Sequence, residues 1–145
     1  MSDGLASGPD GRARCWWAVS APEYVEYHDH EWGRPVRDSG GLYERLCLEA
    51  FQSGLSFITI LRKRENFRAA FADFDISSVA AFGDDDVARL MDDAGIVRNR
   101  AKILAAITNA RAALDVDLAE LIWSFAPPPR PRPRSRAEVP SVTDE

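Results

Sequence analysis

Cysteine and histidine, side chains that bind transition metals, are concentrated near the start of the chain. Cys15 occurs in RCWWAVS, and His28 and His30 occur in YHDHEWG. A structural zinc site needs four ligands that converge on the ion. The remaining candidate, Cys47, lies in the apolar stretch LCLEAF and is expected to be buried as a small hydrophobic residue. Cys15 and His28 could form half of a tetrahedral site, but these four residues do not predict a complete one.

A carboxylate among apolar residues is a second candidate for chemistry. Glu49 lies seven residues after Leu42 and three after Leu46, at the border of the apolar stripe of a predicted helix. A partly desolvated carboxylate requires a partner. That partner could be a cationic or amine-bearing ligand. Alternatively, the carboxylate could reach solvent or pair with an arginine. Several aromatic residues precede it: Trp16, Trp17, Tyr24, Tyr27 and Trp32. Such rings either stack on a flipped base or fill a core.

The segment LMDDAGIVRNRAKIL, residues 90–104, has the form of two helices joined by a turn around Gly95. Glycine can adopt positive φ and permits close approach. The amides that open the following helix favour a phosphate, and Arg98, Arg100 and Lys102 add positive charge. This form matches a helix-hairpin-helix, which binds the DNA backbone without reading sequence. An ordinary αα-hairpin with a glycine turn fits the same spacing.

The elements that position these residues are predicted to be helices. One predicted helix face carries apolar residues three and four apart: Leu42, Tyr43, Leu46, Cys47, Ala50, Phe51 and Leu55. Further helices are predicted over residues 57–74, in ISSVAAF with Asp75 as its N-cap, in GDDDVARLMDDA, in RAKILAAITNARAAL and in DLAELIWSF. No strong strand pattern is evident. The fold class is therefore all-α, a compact multi-helix domain.

Composition predicts the organisation of the chain. Its 145 residues suit one domain. Residues 1–13 are rich in Gly, Ser and Asp and are expected to be disordered. Residues 14–125 are expected to form the helical domain. Residues 126–145 hold six of the nine prolines and are expected to form a Pro/Arg-rich linker and tail.

Charge and hydropathy exclude several classes of protein. The net charge of −5 argues against a protein coated in phosphate-binding charge, although a local basic patch can still bind nucleic acid. No apolar run is long enough to span a membrane, and the N-terminal stretch MSDGLASGPDGRAR is not a secretory signal. We therefore expect a cytoplasmic protein without a membrane partner.

Four stretches together resemble the 3-methyladenine DNA glycosylase I family: RCWWAVSAPEYVEYHDHEWG, LCLEAFQSGLSFITILRKRENFRAAF, DAGIVRNRAKI and LIWSFAP. The resemblance extends over about residues 14 to 142, and the patterns YHDxEWG and LEAFQSGLSxxTILRKRE are long and unusual. It implies an all-α fold with a helix-hairpin-helix. It also implies hydrolysis of the N-glycosidic bond of 3-methyladenine in alkylated double-stranded DNA, with release of the free base. No redox cofactor is implied, and a monomer is expected.

The resemblance assigns roles to residues by their position in these motifs. Glu49 matches the glutamate that binds the base and is the expected catalytic residue, and Tyr27 matches the tyrosine that contacts the base. Phe57 stands where the family usually has Trp, so stacking is expected to be weaker. Trp17 is assigned to the same base-binding group. The residues expected to contact the DNA backbone are Gly95, Arg98, Arg100 and Lys102.

The family binds one structural zinc through a Cys and a His near the N-terminus, matched by Cys15 and His28. Its second His and Cys lie in a C-terminal segment that is absent from this sequence. His30 matches no ligand position and is expected at the surface. We therefore expect a structural Zn²⁺ site with two of four ligands and weak zinc binding. Apolar surface on residues 40–61 or 101–125 is expected to be exposed.

Three interpretations remain open at this point. The chain is an active glycosylase, a truncated and inactive DNA-binding remnant of one, or an inert fragment whose fold needs a partner segment. Replacing Glu49 with alanine separates the first two. It should abolish base release and leave non-specific DNA binding nearly unchanged.

Overall fold

The computed structural model describes residues 4–142. Within this range the helices are α1 (Pro22–His30), α2 (Ser39–Gln52), α3 (Phe57–Ala70), α4 (Ile76–Ala80), α5 (Asp84–Asp92), α6 (Arg100–Ala113) and α7 (Leu118–Trp123). The strands are β1 (Leu5–Ser7) and β2 (Ala13–Cys15), and 3₁₀ turns occur at Trp16–Val19, Ala72–Phe74 and Arg136–Glu138. The predicted all-α class is confirmed, with a short β-hairpin that was not expected. No helix in this range is both long and apolar enough to cross a bilayer.

The chain divides into two compact units, which differs from the predicted single domain over residues 14–125. Their described parts are residues 4–35 together with 125–142, named here the terminal unit, and residues 36–124, named the helical unit. The helical unit contains α2 to α7, and the terminal unit contains the β-hairpin and α1.

The N-terminal stretch forms a β-hairpin, which corrects the prediction of disorder for residues 4–13. β1 pairs with β2 in antiparallel register, with Leu5 opposite Cys15. The Gly8 amide donates to the Arg12 carbonyl across the turn (2.9 Å). The composition of this stretch suggested disorder because it contains few apolar residues, but polar side chains supply its tertiary contacts. Residues 1–3 lie outside the described residues.

The Pro/Arg-rich stretch after residue 125 is mostly exposed and contains one 3₁₀ turn. Within the terminal unit, the guanidinium of Arg136 lies 4.1 Å from the ring centroid of Trp16. The Arg134 amide donates to a carboxylate oxygen of Glu138 (2.7 Å). The stretch thus has a specific cation–π contact in addition to its extended backbone. Residues 143–145 of the predicted tail lie outside the described residues.

The helical unit is built around an aromatic core. Phe51 and Phe67 stack with ring centroids 4.5 Å apart, and Phe71 and Phe74 stack at 5.7 Å. Each of these side chains is at most 1% exposed. Tyr43 is buried with them, and its hydroxyl donates to a backbone carbonyl of α6 (2.7 Å). Burial raises the pKa of Tyr43, so its hydroxyl remains a neutral donor in the core.

The buried face of α2 differs from the predicted apolar stripe. The buried residues of this helix are Tyr43, Cys47, Leu48 and Phe51. Leu46 is 48% exposed and Ala50 is exposed, although both were predicted in the stripe, and Leu55 lies beyond the helix. The buried side is set by α3, α6 and α7, which pack against α2. Leu104 and Leu121 are also exposed, so apolar surface is exposed in both segments where it was expected.

Helix α3 ends at Ala70 instead of continuing to residue 74 as predicted, because the following chain turns left-handed. Ala72, Asp73 and Phe74 have φ values of 51°, 52° and 57°. Such a conformation costs roughly 1–2 kcal/mol per residue for side chains with a Cβ. Burial of Phe74, which is 1% exposed, offsets part of this cost.

Side-chain carboxylates cap several helix N-termini. The predicted Asp75 cap is confirmed, since its Oδ2 accepts a hydrogen bond from the Ser78 amide (2.9 Å). Asp38 and Asp117 cap α2 and α7 in the same way. Helix α5 carries Asp84–Asp86 in its first turn, as predicted from the helix dipole.

Arginines from later helices cap the carbonyl ends of earlier ones within the helical unit. Arg89 of α5 donates to the carbonyl of Ala70 (3.1 Å) at the end of α3. Arg111 of α6 donates to the carbonyls of Ala80 (3.0 Å) and Phe82 (2.8 Å) at the end of α4. Carbonyls at a helix C-terminus lack intrahelical partners and carry partial negative charge, so a cation stabilises them.

Candidate functional site

Four rings of the terminal unit surround Trp17. Its ring centroid lies 5.8 Å from that of Tyr24, 6.3 Å from Tyr27, 5.4 Å from His28 and 5.3 Å from Trp32. His28 and Trp32 also stack on each other at 5.6 Å. Trp17 and Tyr27 are half-buried, and Trp32 is 49% exposed. The structure therefore brings two predicted base-binding residues, Trp17 and Tyr27, into one partly accessible aromatic cluster.

An ion-pair network centred on the buried side chain of Arg14 supports this cluster, and sequence reasoning missed it. The Arg14 side chain is 4% exposed, and its guanidinium donates to both oxygens of Asp10 (2.7 and 2.8 Å) and of Asp29 (2.9 and 2.7 Å). These bidentate hydrogen bonds raise the pKa of Arg14 and hold the pKa of both carboxyls well below their ordinary range. The spacing of Asp10 and Arg14 on either side of Gly11 is the feature of the sequence that could have indicated this pairing. In the structure Gly11 has positive φ and lies in the turn between them.

Asp29 links the ion-pair network to one of the predicted metal ligands. His28 Nδ1 lies 2.9 Å from Asp29 Oδ1, which orients the imidazole ring of His28. Cys15, the other predicted ligand, is half-buried at the end of β2. Between residues 4 and 142, no group of three or more His, Cys, Asp or Glu side chains is arranged to hold a metal ion. The described residues therefore do not by themselves form a complete zinc site.

Cys47 was predicted to be buried and His30 to lie at the surface, and the structure places both residues accordingly. Cys47 is 3% exposed in the helical unit, and burial raises the pKa of its thiol to about 12. A thiol with so high a pKa is a poor source of the thiolate that binds zinc. His30 is exposed on α1, with its Nδ1 2.9 Å from Glu26 Oε1. Within residues 4–142, neither residue lies in a group of three or more His, Cys, Asp or Glu side chains that could hold a metal ion.

The end of α2 and the start of α3 carry the predicted base-binding residues of the helical unit. Glu49 lies in the last turn of α2 and is exposed, not partly desolvated as its position in the stripe had suggested. Phe57 is the first residue of α3 and is half-buried. The intervening turn is tight: the Leu55 amide donates to the Gln52 carbonyl (2.6 Å), and Gly54 has φ of 78°. An exposed carboxylate and an aromatic ring thus flank one short, well-defined turn.

Helices α5 and α6 are joined by a turn at residues 93–99, as the form of LMDDAGIVRNRAKIL predicted. Gly95 does not have positive φ, however. A Cβ at Gly95 would lie 3.0 Å from an Asp93 carboxylate oxygen and 3.1 Å from the Asn66 amide group. A side chain at Gly95 would therefore have to displace Asp93 or Asn66, and Asn66 donates to the Gly95 carbonyl (3.0 Å). Ile96, which is 3% exposed, anchors the turn in the core.

The three cations of the predicted DNA-contact group differ in their surroundings. Arg98 and Arg100 are exposed at the start of α6. The ammonium of Lys102 instead donates to the backbone carbonyls of Phe51 (2.9 Å) and Ser53 (2.5 Å) at the end of α2. Two of its three donors are therefore used inside the helical unit. The structure favours Arg98 and Arg100, more than Lys102, as groups available to a phosphate.

The terminal unit also contains an open groove with a volume of about 360 Å³. Its lining includes Pro9, Asp10, Val19, Pro22 and Val25. None of the residues predicted to bind base, metal or DNA lines it. The groove is therefore not identified with the candidate site.

Comparison with known proteins identifies related sequences. Residues 17–145 match the family model described as methyladenine glycosylase. The DNA-3-methyladenine glycosylase 1 of Escherichia coli (strain K12) is 51% identical over 117 residues, which are 77% of this chain and 63% of that protein. The DNA-3-methyladenine glycosylase of Haemophilus influenzae is 43% identical, also over 117 residues with the same coverage. The chain thus spans less than two thirds of the length of these relatives.

Solved structures of similar proteins have the same fold. A crystal structure of 3-methyladenine DNA glycosylase I superposes with a TM-score of 0.82 at 45% sequence identity, covering 90% of this chain and 76% of that one. The Staphylococcus aureus 3-methyladenine DNA glycosylase I, studied for its recognition of 3-methyladenine, gives a TM-score of 0.72 at 37% identity. That match covers 75% of this chain and 61% of the other. On the match over residues 17–145, the chain belongs to the methyladenine glycosylase family.

Proposed function

We propose that this protein is a DNA glycosylase that hydrolyses the N-glycosidic bond of 3-methyladenine in alkylated double-stranded DNA, as a step of base-excision repair. The observation that carries the proposal is the 51% identity over 117 residues to the E. coli glycosylase. The exposed carboxylate of Glu49, beside a tight turn at the end of α2, supplies the group that such a reaction needs.

The chemistry requires charge recognition more than acid catalysis. Methylation at N3 gives the adenine ring of the nucleotide a positive charge, so the base is already a good leaving group. When the bond between the sugar C1′ and the base breaks, its electron pair passes to the base and neutralises that charge. Water then adds its oxygen to C1′ and releases a proton. Glu49 would bind the cationic base and stabilise the positive charge that develops on the sugar.

The aromatic residues provide surfaces for a base that has left the DNA stack. A glycosylase must extrude its target nucleotide, and an extruded base is commonly held between aromatic side chains. Trp17 and Tyr27 lie in one aromatic cluster of the terminal unit, and Phe57 opens α3 in the helical unit. We assign all three to base contact, with Phe57 offering a smaller ring surface than the Trp usual at that position.

The turn between α5 and α6 is proposed to bind the DNA backbone. Arg98 and Arg100 are exposed there, and the first amides of α6 offer donors and a favourable helix dipole to a phosphate. Such contacts would fix the protein on DNA without reading sequence. We further propose that the protein acts as a monomer in the cytoplasm.

We also propose that Cys15 and His28 contribute two ligands to a structural Zn²⁺. Asp29 contacts His28 Nδ1, and a carboxylate commonly orients a zinc-binding histidine in this way, leaving Nε2 for the metal. Since these residues do not complete a site, weak binding is expected. Metal analysis of the purified protein beside a Cys15→Ser variant tests the assignment. An equal zinc content in both would contradict it.

The test of the glycosylase proposal is the release of free 3-methyladenine from methylated duplex DNA. Glu49→Gln keeps the side-chain shape but removes the charge, and it should reduce release by at least a hundredfold while non-specific DNA binding stays unchanged. Glu120→Gln, which neutralises another exposed helical glutamate, is the matched control and should retain full activity. The proposal would be wrong if the unsubstituted protein released no base, or if Glu49→Gln released it at the normal rate.

A further inference from the structure

The ammonium of Lys102 joins two segments that are far apart in the sequence. Lys102 lies in the first turn of α6, and its own amide donates to the capping oxygen of Asn99 (3.1 Å). Its Nζ donates to the carbonyls of Phe51 and Ser53, which are 51 and 49 residues away. One side chain therefore connects the turn that carries Arg98 and Arg100 to the end of α2.

The carbonyls that Lys102 binds are those that a helix leaves without partners. The last four carbonyls of an α-helix accept no intrahelical hydrogen bond, and they form the negative end of its dipole. Lys102 supplies a full positive charge at this end of α2. Without it, the Phe51 carbonyl in the interior of the unit would lose a charge-assisted hydrogen bond, which is worth more than a neutral one.

The segment held in this way carries the proposed base-binding residues of the helical unit. Glu49 precedes Phe51 by two residues, and Phe57 follows Ser53 by four. The Phe51 ring is fixed by stacking on Phe67 with centroids 4.5 Å apart, so the core fixes its side chain while Lys102 fixes its backbone. The direction in which Glu49 leaves the helix thus depends on a backbone that Lys102 constrains.

A phosphate contact for Lys102 competes with this arrangement. To reach a phosphate with more than one donor, the ammonium would have to leave the Phe51 or Ser53 carbonyl. Arg98 and Arg100 are exposed on the same turn and can bind phosphate without any such loss. Resting on the proposed function, we infer that Lys102 is a positioning residue, which fixes the end of α2 and so the orientation of Glu49, and is not a DNA-backbone contact.

The experiment compares two cations that cap helix ends in the same unit. Lys102→Met removes the donors and keeps most of the apolar side chain, and Lys102→Arg keeps a cation at that place. Arg111→Met is the matched control, because Arg111 caps α4 through the carbonyls of Ala80 and Phe82. Two quantities are measured for each folded variant. They are the affinity for free 3-methyladenine, which carries no phosphate, and the salt dependence of binding to undamaged duplex DNA.

We expect Lys102→Met to weaken the binding of free 3-methyladenine at least tenfold and to leave the salt slope for DNA unchanged. Lys102→Arg should recover part of the loss, and Arg111→Met should change the affinity less than twofold. The inference is overturned if Lys102→Met keeps its base affinity and flattens the salt slope by about 0.9, the value expected for one lost phosphate contact. It is also overturned if Arg111→Met loses as much base affinity as Lys102→Met, because the effect would then be one of general stability.

Failure of the proposed function gives a different result. In that case the unsubstituted protein neither binds free 3-methyladenine nor releases it from DNA, and the role of Lys102 in base binding fails as well. If base binding is present, amide hydrogen exchange adds an independent readout at Ser53 and Leu55. Lys102→Met should accelerate exchange there and Arg111→Met should not. Equal exchange in both variants would also contradict the positioning role.

Discussion

The terminal unit and the helical unit are stabilised by different interactions. In the helical unit the buried side chains are almost all apolar, with stacked phenylalanines at their centre. In the described part of the terminal unit, Ala18 is the one buried apolar residue and the other buried side chain is the cation Arg14. Apolar burial does not depend on protonation, whereas an ion pair does. The stability of the helical core should therefore not depend on pH, whereas the stability of the terminal unit should depend on the charges of its ion pairs.

The largest effect is expected from a cavity in the helical unit. Phe67→Ala removes a fully buried ring that stacks on Phe51. It should lower the free energy of unfolding by about 3–5 kcal/mol, the range for deleting a buried aromatic side chain. Denaturant unfolding measures this. Phe125→Ala, at a position that is 65% exposed, should change stability by no more than about 0.5 kcal/mol. A similar loss in both variants would show that the core is not where the helical unit derives its stability.

The next effect should be confined to the terminal unit. Arg14→Met removes the charge that pairs with Asp10 and Asp29, so the Gly8 and Trp16 amides of the hairpin should lose hydrogen-exchange protection. Protection of the core helices should persist. Arg12→Met is the control, since Arg12 is 77% exposed and lies 3.7 Å from the same Asp10, where an exposed ion pair contributes little. Equal deprotection by both variants would argue against the buried pairing as the cause.

Acid should produce a weaker form of the same change. The hydrogen bonds from Arg14 lower the pKa of Asp10, so this carboxylate stabilises the hairpin fully above about pH 4, its ordinary pKa. The stabilisation is lost as pH falls below that value toward the lower folded pKa. An NMR titration should show the Gly8 amide signal changing in this range, and Asp10→Asn should flatten the response. A transition centred near neutral pH would point to another group.

The smallest expected effect is an increase in stability, unlike the losses predicted above. Ala72 is exposed with φ of 51°, a conformation that glycine adopts without steric cost. Ala72→Gly should raise the free energy of unfolding by about 1 kcal/mol. Ala105→Gly provides the contrast, because Ala105 is an exposed residue in the interior of α6 and glycine in a helix interior costs about 1 kcal/mol. If both substitutions destabilised the helical unit, the left-handed turn would not be strained.

Features that depend on neighbours in the sequence were predictable. Asp75 caps a residue three positions later, and the acidic first turn of α5 needs no knowledge of the fold. The turn around Gly95 that joins α5 to α6 was also predicted, but the contacts of its glycine were not. A Cβ at Gly95 would lie 3.1 Å from the side chain of Asn66, which comes from another helix. Local patterns thus located the element, and only the folded structure shows which side chains surround its glycine.

Features that depend on distant partners were not predictable. Arg14 reaches Asp29, 15 residues away, and Lys102 reaches Phe51, 51 residues away. The sequence shows the charge of Lys102, which suggested that it binds phosphate. No local pattern indicates that a lysine will instead bind the carbonyls of a distant helix. Family motifs identified Glu49 and Tyr27 as candidate base-binding residues, because a motif assigns a role to each position in it. They did not give the exposure of Glu49, which depends on the side of α2 that the other helices cover.

The hydrogen bonds of Lys102 also affect how the protein can be labelled. Lys63 and Lys102 are the two lysines of the sequence. An amine-reactive reagent must reach the side-chain nitrogen, and the nitrogen of Lys102 is engaged in hydrogen bonds to the carbonyls of Phe51 and Ser53. Lys63, on the partly exposed surface of α3, should react faster with such a reagent. A fluorophore attached through lysine chemistry would then be placed mainly on α3 and could report DNA binding without disturbing the end of α2.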